Sequence, residues 1–135
     1  ESTRVFSKVA TSEDLVVPVT KIADCIQSLV EESRKYDFRV FCLAHAGDGN
    51  LHFQILKCDM SDEAWEKQLE EFRDVAYKYV YGLGGRLSGE HGIGFKRLDY
   101  MEKYTDPVEL ELMKSIKRAI DPNWILNPGK VISAD

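Results

Sequence analysis

Apolar positions change their period several times along the chain, and each change marks a predicted element. "DLVVPV" at 14–19 is a short valine-rich run ended by Pro18 and predicts a strand. Behind it, Ile22, Cys25, Ile26, Leu29 and Val30 recur at the spacing of one helix face, predicting an amphipathic helix to about Tyr36. "RVFCLAH" and "LHFQILK" are two strand-like runs around "AGDGN", a glycine-containing loop of the kind that closes a hairpin. Ser61 is placed to cap a second helix, with Asp62 and Glu63 in the first turn where the helix dipole favours acids. Trp65, Leu69, Phe72, Ala76, Tyr79 and Val80 form its stripe, and Gly82, Gly84 and Gly85 end it. "RLSG" predicts a short fourth strand. Asp106, Pro107 and Glu109 open a final helix with Leu110, Met113, Ile116 and Ile120 as its expected buried face, and "DPNWILNPGK" stops it and supplies a tail.

The order β-α-β-β-α-β plus a terminal helix is the ferredoxin-like plan, an α+β fold with an antiparallel sheet and helices on one face. In the usual 4-1-3-2 strand order, the end of the second strand, the start of the third and the end of the fourth fall on one edge. If His45 and His52 pair across the hairpin, they share a face with Leu43 and Gln54. Cys42, Ala44, Phe53 and Ile55 then face the helices.

Composition narrows the function class. A length of 135 residues suits one domain, and 44% hydrophobic with 30% charged residues is ordinary for a soluble protein. The net charge of −5 argues against a general nucleic-acid binder. No apolar run approaches the roughly 20 residues of a bilayer span, and the first residues lack the apolar core of a signal peptide. Cys25, Cys42 and Cys58 are odd in number and lack C-x-x-C spacing, so they read as reduced thiols, with the cytoplasm as the expected location. The chain lacks an initiator methionine, which leads us to expect a segment of a longer protein.

The chemistry gathers in two glycine-rich runs. "AHAGDGNLHFQ" holds His45 and His52, and "GGRLSGEHGIGFKR" holds Glu90 and His91, so all three histidines lie in or beside two turns. His45, His52 and Glu90 offer two imidazoles and a carboxylate, a usable set for a divalent metal such as zinc with positions left open. His91 is then free to act as a general base. Asp48, Gly49 and Asn50 are favoured in turns for backbone reasons alone and read first as turn formers. Gly92 and Gly94 do not have P-loop spacing, Lys96 and Arg97 read as a solvated helix start, and no cysteine or serine is placed as a nucleophile.

"HAGDGNLH", "GGRLSGEHGIG" followed by Lys96, "EDLVVPVTKI" and the terminal "DPNWILNPGK" together resemble, in collinear order over nearly the whole chain, the C-terminal domain of FAD-linked oxidases of the vanillyl-alcohol-oxidase type. The similar branch contains the GlcD-type glycolate oxidase chain, D-lactate dehydrogenase and D-2-hydroxyglutarate dehydrogenase. The resemblance implies that residues 1–135 are the second part of the substrate-side (cap) domain of an FAD-dependent 2-hydroxy acid oxidoreductase, with the N-terminal FAD-binding domain outside this chain and the chain inactive alone. It implies His45, His52 and Glu90 as metal ligands and His91 as the base for the substrate hydroxyl. Asn50, Gln54, Lys96, Asn127 and Lys130 are implied near substrate or cofactor. Arg4 is a candidate remnant of the family's carboxylate-binding arginine. Phe53 stands where proline is frequent. The implied electron acceptor is electron-transfer flavoprotein or an iron–sulfur subunit.

Two other readings stay open on residue types alone. One is a free-standing metal-dependent hydrolase using His45, His52 and Glu90 to activate water. The other is a ferredoxin-like ligand-binding module without chemistry.

Overall fold

A computed structural model describes residues 5–134, which leaves Arg4 outside the described residues. Where length alone suggests one domain, the chain divides into two compact units, one ending at Glu90 and one beginning at His91. Among the described residues no helix is long and apolar enough to cross a membrane.

The first unit is built on an antiparallel sheet of β1 (Ala10–Val16), β2 (Arg39–His45) and β3 (Asn50–Leu56) in the order β1-β3-β2. Helix α1 (Ile22–Ser33) follows β1, and α2 (Asp62–Gly82) follows β3. This is the expected α+β arrangement. "RLSG" reaches β1 from the expected side but contributes only one antiparallel bridge, Val16 to Arg86, rather than a strand. Gly85 beside it has no room for a side chain, since a Cβ there would lie 2.3 Å from the Val16 carbonyl oxygen.

Leu15, Leu51, Phe53 and Ile55 project from one face of the sheet and are buried, as period-two alternation requires. Both helices cover that face. Cys25 and Leu29 of α1 and Trp65, Leu69, Phe72, Ala76 and Val80 of α2 complete the core, with Phe38 meeting Trp65 and Phe72 edge-on. Ser28 of α1 and Tyr79 of α2 share a hydrogen bond of 2.9 Å, so Tyr79 ties the helices together while Tyr77 takes the fully buried place. Helix α2 is capped by the Ser61 hydroxyl, which accepts from the Ala64 amide, and gives way to Gly84 in the left-handed region. Helix α1 stops at Ser33, short of Tyr36, because Arg34, Lys35 and Tyr36 form tighter i to i−3 hydrogen bonds.

β1 begins at Ala10, earlier than its apolar residues suggest. Its Thr11 and Glu13 lie on the helix-covered face, where Arg73 of α2 donates to Glu13 at 2.7 and 2.9 Å and to the Thr11 hydroxyl at 3.3 Å. The Tyr77 hydroxyl donates to the second Glu13 oxygen. A buried carboxylate held by a guanidinium and a phenol thus docks α2 on the sheet.

The second unit contains α3 (Leu98–Tyr104), which the hydrophobic pattern does not predict, and α4 (Pro107–Ile120). Arg97 corrects the expectation of a solvated helix start: it stands at the head of α3, is buried, and donates to the Gly92 carbonyl at 3.3 Å. Asp106 caps α4 as expected, accepting from the Val108 amide. The apolar stripe of α4 is a second correction, because no α4 residue is buried; Ile116 and Ile120 are exposed, and Leu110 and Met113 are half-buried. A unit this short has little apolar surface with which to cover a stripe of that length. Beyond α4, the Asp121 carboxylate accepts from Lys117 at 2.6 Å and from the Ile125 and Leu126 amides at 3.1 and 2.9 Å, shaping the "DPNWILN" turn.

Two outcomes follow. Arg73→Met strands the buried Glu13 carboxylate against a phenol alone and should cost on the order of 3 kcal/mol in urea unfolding. The hydrogen bond from Lys117, with the Leu126 and Ile125 amides, holds the Asp121 carboxyl below its ordinary value. Its stabilisation is therefore complete above the ordinary aspartate range and is lost as pH falls through the lowered folded value. The Tm difference between wild type and Asp121→Asn should accordingly be constant near neutrality and shrink on acidification.

Candidate metal centre

The site starts with the hairpin. Asp48 and Gly49 amides both bond back to the His45 carbonyl, at 3.3 and 3.2 Å, and the Asp48 carboxylate accepts from the Asn50 amide at 3.0 Å. Asp48 is therefore a turn former, as its residue type suggests. Gly49 adopts a left-handed φ of +82°, and a Cβ there would fall 2.0 Å from the Val17 carbonyl oxygen, so the hairpin tip lies flat on the chain leaving β1.

The register differs from the expected pairing of the two histidines. His45 stands opposite Asn50, and His52 opposite Leu43 on one side and Asp14 on the other. The offset is two residues, an even number, so both imidazoles still project from the same face. Their ring centroids are 5.3 Å apart with the planes nearly perpendicular at 88°.

Glu90 arrives from the segment after the Arg86 bridge. Its carboxylate Oε1 lies 2.9 Å from His52 Nε2 and 3.8 Å from His45 Nε2. One donor atom from each of His45, His52 and Glu90 lies within 4.8 Å of the others. Two imidazole nitrogens and one carboxylate oxygen converging in this way fit a divalent ion of the zinc type, with further positions open to small ligands. His52 is half-buried, whereas His45 and Glu90 are exposed, so the cluster has one fixed wall and one open side.

Three residues whose types do not announce chemistry build that wall. Asp14 is fully buried; its Oδ2 accepts from the Ser88 hydroxyl at 2.8 Å and from the Glu90 amide at 2.9 Å. Its Oδ1 faces His52 Nδ1 at 3.9 Å, an electrostatic contact longer than a hydrogen bond. Gly89 supplies room: a Cβ there would lie 2.6 Å from the side-chain oxygen of Asn50. The sequence signal for Asp14 is an acid set at the head of an apolar strand run; nothing comparable marks Ser88 or Gly89.

Asn50 is buried beside the cluster, and its side-chain oxygen has no hydrogen-bond partner among the described residues. Gln54 lies two positions beyond His52 on the same face and is half-buried. His91 follows Glu90 directly in the chain and is exposed. The other candidates lie in the second unit. Lys96 is exposed just before α3. Asn127 is left-handed with φ 48°, and Lys130 stacks its ammonium 5.1 Å from the Phe95 ring centre. Asn127 and Lys130 line a cavity with Met113, Ile116 and Ile120. Burial pushes the Cys25 thiol up to about 12 and the Cys42 thiol up to about 11, which leaves both protonated and weakly nucleophilic near neutral pH.

Residues 7–131 match the family model described as FAD linked oxidases, C-terminal domain, and the chain belongs to that family. Among curated relatives, the D-lactate dehydrogenase of Anaerostipes hadrus is 42% identical over 87% of this chain and 25% of its own length. The glycolate oxidase subunit GlcD of Bacillus subtilis is 35% identical over 91% of this chain and 26% of its own length. The D-2-hydroxyglutarate dehydrogenase of Stutzerimonas stutzeri is 39% identical over 73% of this chain and 21% of its own length. The chain thus spans about a quarter of the length of the relatives it matches.

The packing at Gly89 is directly testable. Gly89→Ala must displace the Asn50 amide and should cost about 1–3 kcal/mol, with a shift of the His45 and His52 ring resonances in NMR. Gly47→Ala, where a Cβ meets no atom within 4 Å, should leave both stability and those resonances as they are.

Proposed function

We propose that this chain is the substrate-side domain of an FAD-dependent 2-hydroxy acid oxidoreductase of the D-lactate, glycolate or D-2-hydroxyglutarate type. The observation that supports the reading most is the convergence of His45, His52 and Glu90 on one face of the sheet in a chain of this family. The names of the relatives supply the substrate class. In this reading FAD, held mainly by polypeptide outside this chain, accepts hydride from the substrate α-carbon.

His45, His52 and Glu90 would hold a divalent ion, which when bound polarises a substrate oxygen and fixes its orientation. His91 takes the hydroxyl proton as the α-hydrogen leaves, so the alcohol carbon is oxidised to a carbonyl and the flavin is reduced. Asn50 and Gln54 border the same face and are suited to orient polar substrate groups. Lys96, Asn127 and Lys130 are assigned as substrate- or cofactor-proximal by resemblance alone.

Metal analysis of the purified chain, paired with single-turnover reduction of the flavin-containing protein that carries it, tests the reading. Near-stoichiometric zinc, manganese or iron should be present and should vanish in a His45→Ala, His52→Ala double variant. With a D-2-hydroxy acid the flavin absorbance should bleach, and His91→Ala should slow the bleaching by about 10²–10⁴-fold. Bleaching at an unchanged rate in His91→Ala would remove that residue from the role of base. Failure of every 2-hydroxy acid to reduce the flavin would overturn the substrate class.

A further inference from the structure

We propose that Asp14 is the positioning residue of the metal centre, holding Glu90 and His52, two of the three ligands, in their binding geometry with its two carboxylate oxygens. The inference rests on the metal reading above. Asp14 is rigidly placed: it is fully buried in β1 and stands opposite His52 in the β1–β3 ladder.

Each oxygen has its own task. Oδ2 accepts the Ser88 hydroxyl and the Glu90 amide, which fixes the backbone from which the Glu90 carboxylate extends. Oδ1 faces His52 Nδ1 at 3.9 Å, while Nε2 of the same ring points at Glu90 Oε1 2.9 Å away. A carboxylate on the Nδ1 side favours the proton there and leaves the Nε2 lone pair for the ion. It also makes the imidazole a better donor, the usual effect of a carboxylate behind a metal-bound histidine.

This arrangement requires acceptors on both sides of one small side chain. An asparagine has one acceptor oxygen. If that oxygen serves Ser88 and Glu90, the amide hydrogens oppose the His52 Nδ1 proton; if it is turned toward His52, the amide hydrogens face two donors. Asp14→Asn therefore keeps size and removes only the double acceptor. Arg73→Met serves as the control, because it damages the opposite face of the same strand through Glu13 and touches no ligand.

Zinc affinity of the purified chain, measured by competition with a chelator, is the primary readout. A ¹⁵N spectrum of the histidine rings is the second. Asp14→Asn should fold with the wild-type circular dichroism, bind zinc about 10–100-fold more weakly, and lose the Nδ1-protonated signature of His52. Arg73→Met should lower Tm with zinc affinity unchanged. Equal zinc affinity in wild type and Asp14→Asn would overturn the proposal while leaving the metal reading intact. An equal loss in Arg73→Met would also overturn it, by reducing Asp14 to general support of β1. A wild-type chain that binds no zinc, manganese or iron would instead overturn the metal reading, and the role of Asp14 with it.

Discussion

Two adjacent buried carboxylates on β1 hold the first unit together from opposite sides. Glu13 points toward the helices and is gripped by Arg73 and Tyr77 of α2. Asp14 points the other way, toward the histidine face, and accepts from Ser88 and the Glu90 amide. Strand geometry makes this division unavoidable, since successive side chains leave opposite faces. The same peptide therefore docks α2 on one face and anchors, on the other, the segment into which α2 runs. The desolvation of two carboxylates is costly, so each must be answered by several donors, and both are. That requirement couples the packing of the core to the shape of the site.

Much of this plan is legible in the sequence, and where it is not the reasons are specific. β2, the hairpin, the Ser61 cap and the glycine stop of α2 follow from residue types whose local preferences agree with the final structure. The start of β1 is hidden because Thr11 and Glu13 are polar yet face the helices, where Arg73 satisfies them. Tyr77 escapes the apolar stripe that includes Tyr79 for a related reason, since its buried place depends on the hydroxyl reaching Glu13. A hydrophobic pattern cannot show a polar residue buried by a partner some 60 positions away. The reverse holds in α4, whose apolar periodicity is real but whose stripe is uncovered.

In the candidate site, residue types point to the right side chains and the wrong register. Direct pairing of His45 with His52 is the simple expectation, yet Asn50 and Leu43 take those places. The shared face survives because a shift by two preserves the pleat, whereas a shift by one would send one imidazole into the core. Residues whose types carry chemistry, histidine and glutamate, announce themselves. Those that position them do not, because Ser88 and Gly89 are ordinary loop residues until the Asn50 amide and the Asp14 carboxylate are placed beside them.

The cluster also joins two kinds of support. His45 and His52 sit on neighbouring strands of a hydrogen-bonded ladder, so their separation is set by the sheet and resists change. Glu90 sits on a segment joined to the sheet by one backbone bridge at Arg86 and by the donors that Asp14 accepts. A ligand set of this kind has two stiff members and one whose placement depends on a few polar contacts. Metal centres lose affinity when any ligand must be ordered at the moment of binding, because the entropy of that ordering is subtracted from the binding free energy. The burden of preorganisation therefore falls on the weakest support, the 86–90 segment. In this structure the buried carboxylate of Asp14 carries most of that burden.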